Sequence, residues 1–288
     1  MSEQAIYFYT RHPISAAIIL TKLREARGHL DDVRPDELFA HDQDHYGGLA
    51  ANDALAAVAR VGTGSRVADF CAGLGGPARY LAHRYGADVT GIELTPARVA
   101  GAAELTELVG LQDRVRVREG NVMDVPLPDA GMDAVVSQEA FLHVPDKGRA
   151  LAEAFRILKP GGRLAFTDWT PAAPLSSADA DLMWRGMAAQ NLRSIARYRS
   201  LLEDAGFRVV SVDDLTRGWG VILAERLAMY RTLRAEAERA GTPPGDDAFH
   251  QSYVRFVELV LGGARRRAVH RAEVIASPPA TAAHCRSH

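Results

Sequence analysis

The sequence predicts an α/β fold: a doubly wound, mostly parallel sheet covered by helices on both faces. Three observations carry this. Short apolar runs alternate with helix-period segments from residue 65 to residue 170. The intervening segments are long enough for right-handed crossovers, so neighbouring runs pair in parallel. A glycine cluster closes the first run, at the carboxyl end of a strand, where open parallel sheets place their ligands.

The elements follow in order. ISAAIILTKLRE (14–25) carries apolar residues on a helical period and stops at Arg27-Gly28. The polar stretch DDVRPDELFAHDQDHYGG ends in Gly47-Gly48, and LAANDALAAVARV (49–61) reads as a second helix. SRVADFC (65–71) is the first strand, and ARYLAHRYG is a helix stopped at Gly86. DVTGIEL (88–94) is the second strand; Thr95 can then cap a helix, and Pro96 suits its first position. RVRVREG (114–120) and DAVVSQEA (133–140) are the third and fourth strands. DKGRALAEAFRIL (146–158) is a helix stopped by KPGG, and RLAFTDW (163–169) is the fifth strand. A helical stretch covers 178–206, FRVVSVDDL (207–215) is a sixth strand, and helices follow at 221–240 and 248–262 around the turn TPPGDD (242–247). Residues 277–288 read as a disordered tail.

Composition narrows the function. A chain of 288 residues suits one catalytic-sized domain with additions. Its 34 basic and 36 acidic residues give 34 − 36 = −2, which argues against a nucleic-acid binder. The longest strictly apolar run is Ala54 to Ala59, far below the about 20 residues of a membrane span. MSEQAIYFYTRHP lacks a basic region followed by an apolar core, so no secretory signal is expected. Cys71 and Cys285 form no CxxC pair. Neither a disulfide framework nor a structural zinc site is expected, and a reducing cytoplasm is the expected home.

The most informative stretch is VADFCAGLGGPA (67–78). Glycine lets a backbone turn tightly and lets a ligand approach without a Cβ in the way. The next helix begins near Pro77, so its unpaired N–H groups point into the gap. Gly73, Gly75 and Ala78 also fit G-x-G-x-x-A, a dinucleotide fingerprint. Asp69 lies inside the strand, where a charge is costly unless it organises the turn by hydrogen bonding. Glu93 ends the second strand 24 positions later (93 − 69), the right place to hold a ribose diol. Asn121 and Asp124 follow the third strand, where an amide or acid could bind an amino-purine edge.

These residues resemble the class I S-adenosylmethionine-dependent methyltransferases, whose first motif runs roughly D-x-G-x-G-x-G. Asp69, Gly73 and Gly75 match it, and Cys71 stands where the pattern has its first glycine. Glu93 matches the second-strand acid, Gly120-Asn121-Val122 the third-strand end, DAVVSQEAFLHV the fourth strand, and LKPGGRLAFTDW the fifth. The likeness covers about residues 40–215. With HDQDHYGG upstream, it is most similar to small-molecule methyltransferases of the sarcosine and dimethylglycine type. It also resembles natural-product O- and N-methyltransferases.

The resemblance implies a seven-stranded Rossmann-like sheet, an N-terminal helical lid over 1–60, and a methyltransferase domain over 61–276 with a helical substrate cover at about 217–262. Its last strand would insert antiparallel beside the sixth, with RAVHRAEVIA (267–276) as the candidate. The cofactor implied is S-adenosyl-L-methionine. Glu93 would accept from the ribose hydroxyls, and Leu94 would pack on adenine. Asn121 and the Val122 amide would read the adenine edge. The backbone at Cys71, Ala72 and Gly73 would meet the methionine portion, with Gln138 near its amino group.

Methyl transfer from a sulfonium is an in-line displacement, so the protein mainly aligns the reactants and excludes water. A base is needed only if the nucleophile must lose a proton. His143 and Glu139, in SQEAFLHV, are the candidates; Glu139 could alternatively neutralise a cationic amine. Tyr46 closes the polar cluster His41-Asp42-Gln43-Asp44-His45 and could touch the methyl group. No metal site is expected there. Tyr7, Phe8, Tyr9 and Arg11 could close over the substrate, and Trp169, Trp184 and Trp219 could line its pocket. The basic run 265–267 reads as solvated surface. The expected partners are a small-molecule acceptor, with no nucleic acid or membrane, and a second copy in a homodimer. The competing readings are an NAD(P)-dependent oxidoreductase and a non-catalytic binding protein on the same fold.

Overall fold

A computed structural model describes residues 3–10, 14–43, 45–171, 174–239, 251–252, 254–258 and 269–278. Arg11, Asp44, the turn 242–247, the basic run 265–267, Cys285 and nearly all of the tail from 277 onward lie outside the described residues.

Four helices come first: α1 (Glu3–Thr10), α2 (Ala16–Arg27), α3 (Pro35–Leu38) and α4 (Gly48–Ala59). The alternation follows as β1 (Arg66–Phe70), α5 (Gly76–Tyr85), β2 (Asp88–Glu93), α6 (Pro96–Leu108), β3 (Val115–Glu119), β4 (Met132–Gln138), α7 (Lys147–Ile157) and β5 (Leu158–Pro171). A single 3-10 turn, Phe141–His143, sits between β4 and α7. The chain continues as α8 (Ser177–Met187), α9 (Ile195–Asp204), β6 (Arg208–Asp214), α10 (Thr216–Arg239) and β7 (Val269–Ser277). Residues 251–252 and 254–258 are also helical.

The seven strands order as β3-β2-β1-β4-β5-β7-β6. The first five in the row pair in parallel, and β7 runs antiparallel between β5 and β6. The candidate last strand therefore forms, inserted between two neighbours. Chain order reverses between β1 and β4, so their carboxyl ends open a crevice.

Alternation along the strands builds two cores. Val67, Ala134, Val136 and Ala165 face a layer made with Leu55 of α4 and Leu81 of α5. Ala68, Phe70, Val135, Leu164 and Phe166 face the other, made with Leu151 and Ile157 of α7 and Leu202 of α9. Within residues 1–60, α4 thus belongs to a sheet-covering layer, while Ile19, Leu23 and Leu38 of α2 and α3 pack with Leu105 of α6.

Three sequence readings are corrected. The helical stretch 178–206 is two helices, because Ala188 and Asn191 take left-handed conformations, φ 48° and 61°. KPGG does not separate helix from strand. β5 starts directly at Leu158, which pairs with Met132, and the register then shifts so that Ala134 meets Arg163. Gly161, at φ 80°, supplies the backbone freedom for that irregularity. Finally, α10 starts at Thr216 rather than 221. Among the described residues no helix is long and apolar enough to cross a membrane.

Candidate functional site

The turn after β1 is built on left-handed backbone: Cys71, Gly73 and Gly75 have φ of 60°, 58° and 77°. Cysteine at 71 accepts a conformation that usually selects glycine. At Gly73 a Cβ would lie 2.9 Å from an Arg98 guanidinium nitrogen, so a side chain there would have to displace that guanidinium and adopt a left-handed backbone. Gly75 stands just off the cavity wall, between the lining residues Leu74 and Gly76. It turns the chain into α5, and its missing Cβ makes room for Arg79 and Val117.

This turn floors a cavity of about 220 Å³ at the crevice between β1 and β4. Its walls include Asp69, Cys71, Ala72, Gly73, Glu93, Leu94, Asn121, Val122 and Gln138. Glu93 Oε2 accepts the Gly73 N–H at 2.9 Å, and Oε1 accepts the Thr95 N–H at 2.8 Å. The acid thus ties the glycine turn to the start of α6, and each carboxylate oxygen retains a further lone pair. Asn121 Oδ1 accepts the Met123 N–H at 2.9 Å, so it braces its own turn while lining the cavity. Asp124 closes that turn and lies off the wall.

Asp69 does not organise the turn as expected. Its Oδ2 is buried without a hydrogen-bond partner, and the turn's own amides go elsewhere: the Ala72 N–H to the Ile92 carbonyl, the Gly73 N–H to Glu93 and the Gly75 N–H to the Ala72 carbonyl. Burial, and then the charge of Glu93, push the Asp69 carboxyl up to about 7. Both amide atoms of Gln138 are likewise buried and unpartnered. A buried polar group without a partner costs roughly 1–3 kcal/mol. Three such atoms stand on two residues of one cavity wall, where a polar ligand would supply the missing bonds.

The other half of the cavity is aromatic. Phe8 and Tyr9 come from α1, Tyr46 from the segment before α4, Glu139 and His143 from the turn after β4, Trp169 from β5 and Met187 from α8. Tyr9 Oη and His143 Nε2 lie 2.7 Å apart, and His143 Nδ1 is 3.1 Å from the Ala188 carbonyl oxygen. A carbonyl only accepts, so Nδ1 carries a proton, and in the neutral ring Nε2 accepts from the Tyr9 phenol. Glu139 is held at φ 53°, and its Oε2 accepts the Tyr46 N–H at 3.1 Å. Tyr46 and Trp169 meet edge to face.

The N-terminal segment is locked onto this wall. Asp42 and Arg79 form a wholly buried ion pair at 2.9 Å. A Cβ at Gly76 would fall 2.1 Å from the Asp42 carbonyl oxygen, so only glycine permits this approach. Gln43 Oε1 accepts from Asn52 at 2.7 Å and faces His45 Nε2 at 3.0 Å. Among the described residues no group of three or more His, Cys, Asp or Glu is arranged to hold a metal ion. His41 and Trp184 lie off the cavity wall, and the side chain of Trp219 is outside what the structure describes.

Sequence reasoning missed Arg98, whose guanidinium lies 4.7 Å above the Tyr9 ring. Its place one turn into the helix after β2 was a readable signal, since that turn abuts the glycine loop. It also missed Met187, the last residue of α8, which lines the cavity.

A family model described as "Methyltransferase domain" matches residues 68–166. The chain is 34% identical over 157 residues to the sarcosine/dimethylglycine N-methyltransferase of Halorhodospira halochloris, covering 54% of this chain and 56% of that one. It therefore spans about half the length of that relative. It is 31% identical over 210 residues to methyltransferase GfsG of Streptomyces halstedii, covering 70% of this chain and 75% of that protein. The solved phosphoethanolamine N-methyltransferase 2 of Haemonchus contortus, in complex with S-adenosyl-L-methionine, superposes with a TM-score of 0.72 at 20% identity. That superposition covers 97% of this chain and 60% of the other, and it shows a shared fold.

Proposed function

The chain belongs to the class I S-adenosylmethionine-dependent methyltransferase family, and from that premise we propose that it moves a methyl group to the nitrogen or oxygen of a small-molecule acceptor. The observation that carries the reading is the set of unpartnered atoms, Asp69 Oδ2 and the Gln138 amide, beside Glu93 in one cavity. They fit the donor. Its ammonium suits Asp69 and Gln138, its ribose suits Glu93, and the side-chain-free turn at Gly73 suits its amino-acid portion. Leu94, Asn121 and Val122 would hold the adenine.

When bound, S-adenosylmethionine supplies an electrophilic methyl carbon, displaced in line from its sulfur. The chain's own residues align the acceptor and exclude water. Phe8, Tyr46, Trp169 and Met187 form an apolar wall around that space. Both ring nitrogens of His143 are already engaged, so a proton leaving the acceptor reaches His143 through the Tyr9 hydroxyl. The imidazolium so formed keeps its Nδ1–H on the Ala188 carbonyl. Glu139 sits on the same wall, placed to balance an acceptor cation.

The reading extends to a cytoplasmic setting, supported by a free thiol at Cys71, and to a homodimer, which sedimentation analysis would decide. Incubation with methyl-labelled S-adenosylmethionine tests the activity, with dimethylglycine as a nitrogen probe and catechol as an oxygen probe. Labelled acceptor with matching S-adenosylhomocysteine is expected. Failure to bind the donor at all refutes the reading.

A further inference from the structure

Behind the aromatic wall lies a buried polar cluster that plays no part in the transfer just described. Asp168, on β5, is fully buried and immediately precedes the wall residue Trp169. Its Oδ1 accepts the Leu142 N–H at 3.1 Å, and its Oδ2 accepts the Tyr198 hydroxyl. Lys147 Nζ, also buried, donates to the Val144 carbonyl at 3.0 Å and to the Gln190 carbonyl at 3.3 Å. Gln190 in turn donates its backbone N–H to the Leu142 carbonyl at 2.9 Å and its side-chain amide to the His143 carbonyl at 2.8 Å.

These bonds converge on one short stretch. The His143 N–H goes to the Ala140 carbonyl at 3.0 Å and the Val144 N–H to the Phe141 carbonyl at 2.9 Å. With them, all six main-chain polar groups of Leu142, His143 and Val144 are paired, four of them to Asp168, Lys147 or Gln190. A three-residue turn needs no such frame to close.

We propose that Asp168 is a positioning residue for His143, acting through the main chain of Leu142, with Lys147 and Gln190 completing the frame. Keeping a carboxylate and an ammonium out of water is costly, and a well-packed apolar cluster would serve stability equally well. Burial raises the Asp168 carboxyl to about 6 and lowers the Lys147 ammonium to about 8, which registers that cost. What the charged groups provide and an apolar cluster does not is a fixed direction for each backbone bond. The break between α8 and α9 belongs to the same device, since it carries both Ala188, the Nδ1 partner, and Gln190.

The proposal rests on reading His143 as the proton acceptor, and its test is independent of turnover. Nitrogen-15 spectra of the full-length protein labelled at histidine report the His143 tautomer, with His143→Gln assigning its signal. The wild type is expected to show a neutral ring, protonated at Nδ1 and accepting at Nε2. Asp168→Ala should shift or broaden that signature, and Asp168→Asn, which keeps an acceptor for the Leu142 N–H, should restore it. Gln190→Ala, at a half-buried site, gives the same reading if Asp168→Ala does not fold. Affinity for S-adenosylhomocysteine should stay within about twofold in each, since the donor half of the cavity lies elsewhere. An unchanged His143 signature in both Asp168→Ala and Gln190→Ala overturns the proposal, as does an Asp168→Asn spectrum as perturbed as that of Asp168→Ala. Loss of donor binding by the wild type would instead overturn the methyltransferase reading.

Discussion

Tyr9 and His143 stand 134 residues apart in the chain and 2.7 Å apart in space, joined phenol to imidazole. The rings also meet edge to face, with centroids 5.1 Å apart, and the Arg98 guanidinium lies over the Tyr9 ring. Tyr9→Phe removes the hydroxyl and keeps the ring. It should lower kcat by roughly 100-fold, the low end of what a positioned proton-transfer group contributes. Donor affinity should change little. Steady-state kinetics beside calorimetry separates the two, and full turnover in Tyr9→Phe would remove the phenol from the proton path.

Asp42 and Arg79 make the second long-range tie. Arg79 also donates to Thr106 Oγ1 at 3.1 Å and to the Ala102 carbonyl at 3.3 Å, which leaves its charge with Asp42 as the balancing carboxylate. Asp42→Ala strands a buried guanidinium and should cost about 3–5 kcal/mol of stability. Urea unfolding of the variant against the wild type measures it. A loss below about 1 kcal/mol would mean that water reaches Arg79.

Asp69 gives the site a pH dependence with a definite sign. Its carboxyl is raised to about 7 by burial and by Glu93, so near neutrality it is partly protonated. Ionisation is disfavoured by the fold, so this group's contribution to stability falls as pH rises from about 4 to about 7 and is flat above. Binding runs the other way. The ionised form attracts the donor's ammonium, so affinity for S-adenosylhomocysteine should rise between pH 6 and pH 8. Asp69→Asn should flatten that rise, and an equally steep profile in the variant would contradict the pairing.

The sheet was legible because local signals and tertiary demands agree. The apolar runs around Val67, Ile92 and Val135 are strands in every account, and Gly73 and Glu93 lie where strand ends put them. What escaped depends on contacts that no spacing encodes. Helix α1 carries Tyr9 to His143, Ala188 breaks a helix that its neighbours' periodicity continues, and Arg98 is a surface-type residue drawn inward. The orphaned Asp69 shows the converse. The sequence marked it as important, but the expectation of a satisfied hydrogen bond assumed that the chain supplies its own donor. The aromatic residues were the hardest to sort, since Trp169 and Trp184 look alike in sequence and only Trp169 reaches the wall.

The measurement that bears most directly on the whole account is calorimetric titration of S-adenosylhomocysteine into the wild type and into Glu93→Ala. Micromolar binding to the wild type is predicted, weakened in the variant by about 1–3 kcal/mol, the cost of leaving ribose hydroxyls unpaired. Equal affinity in the two proteins, or binding of NADH in place of the adenosyl ligand, would contradict it.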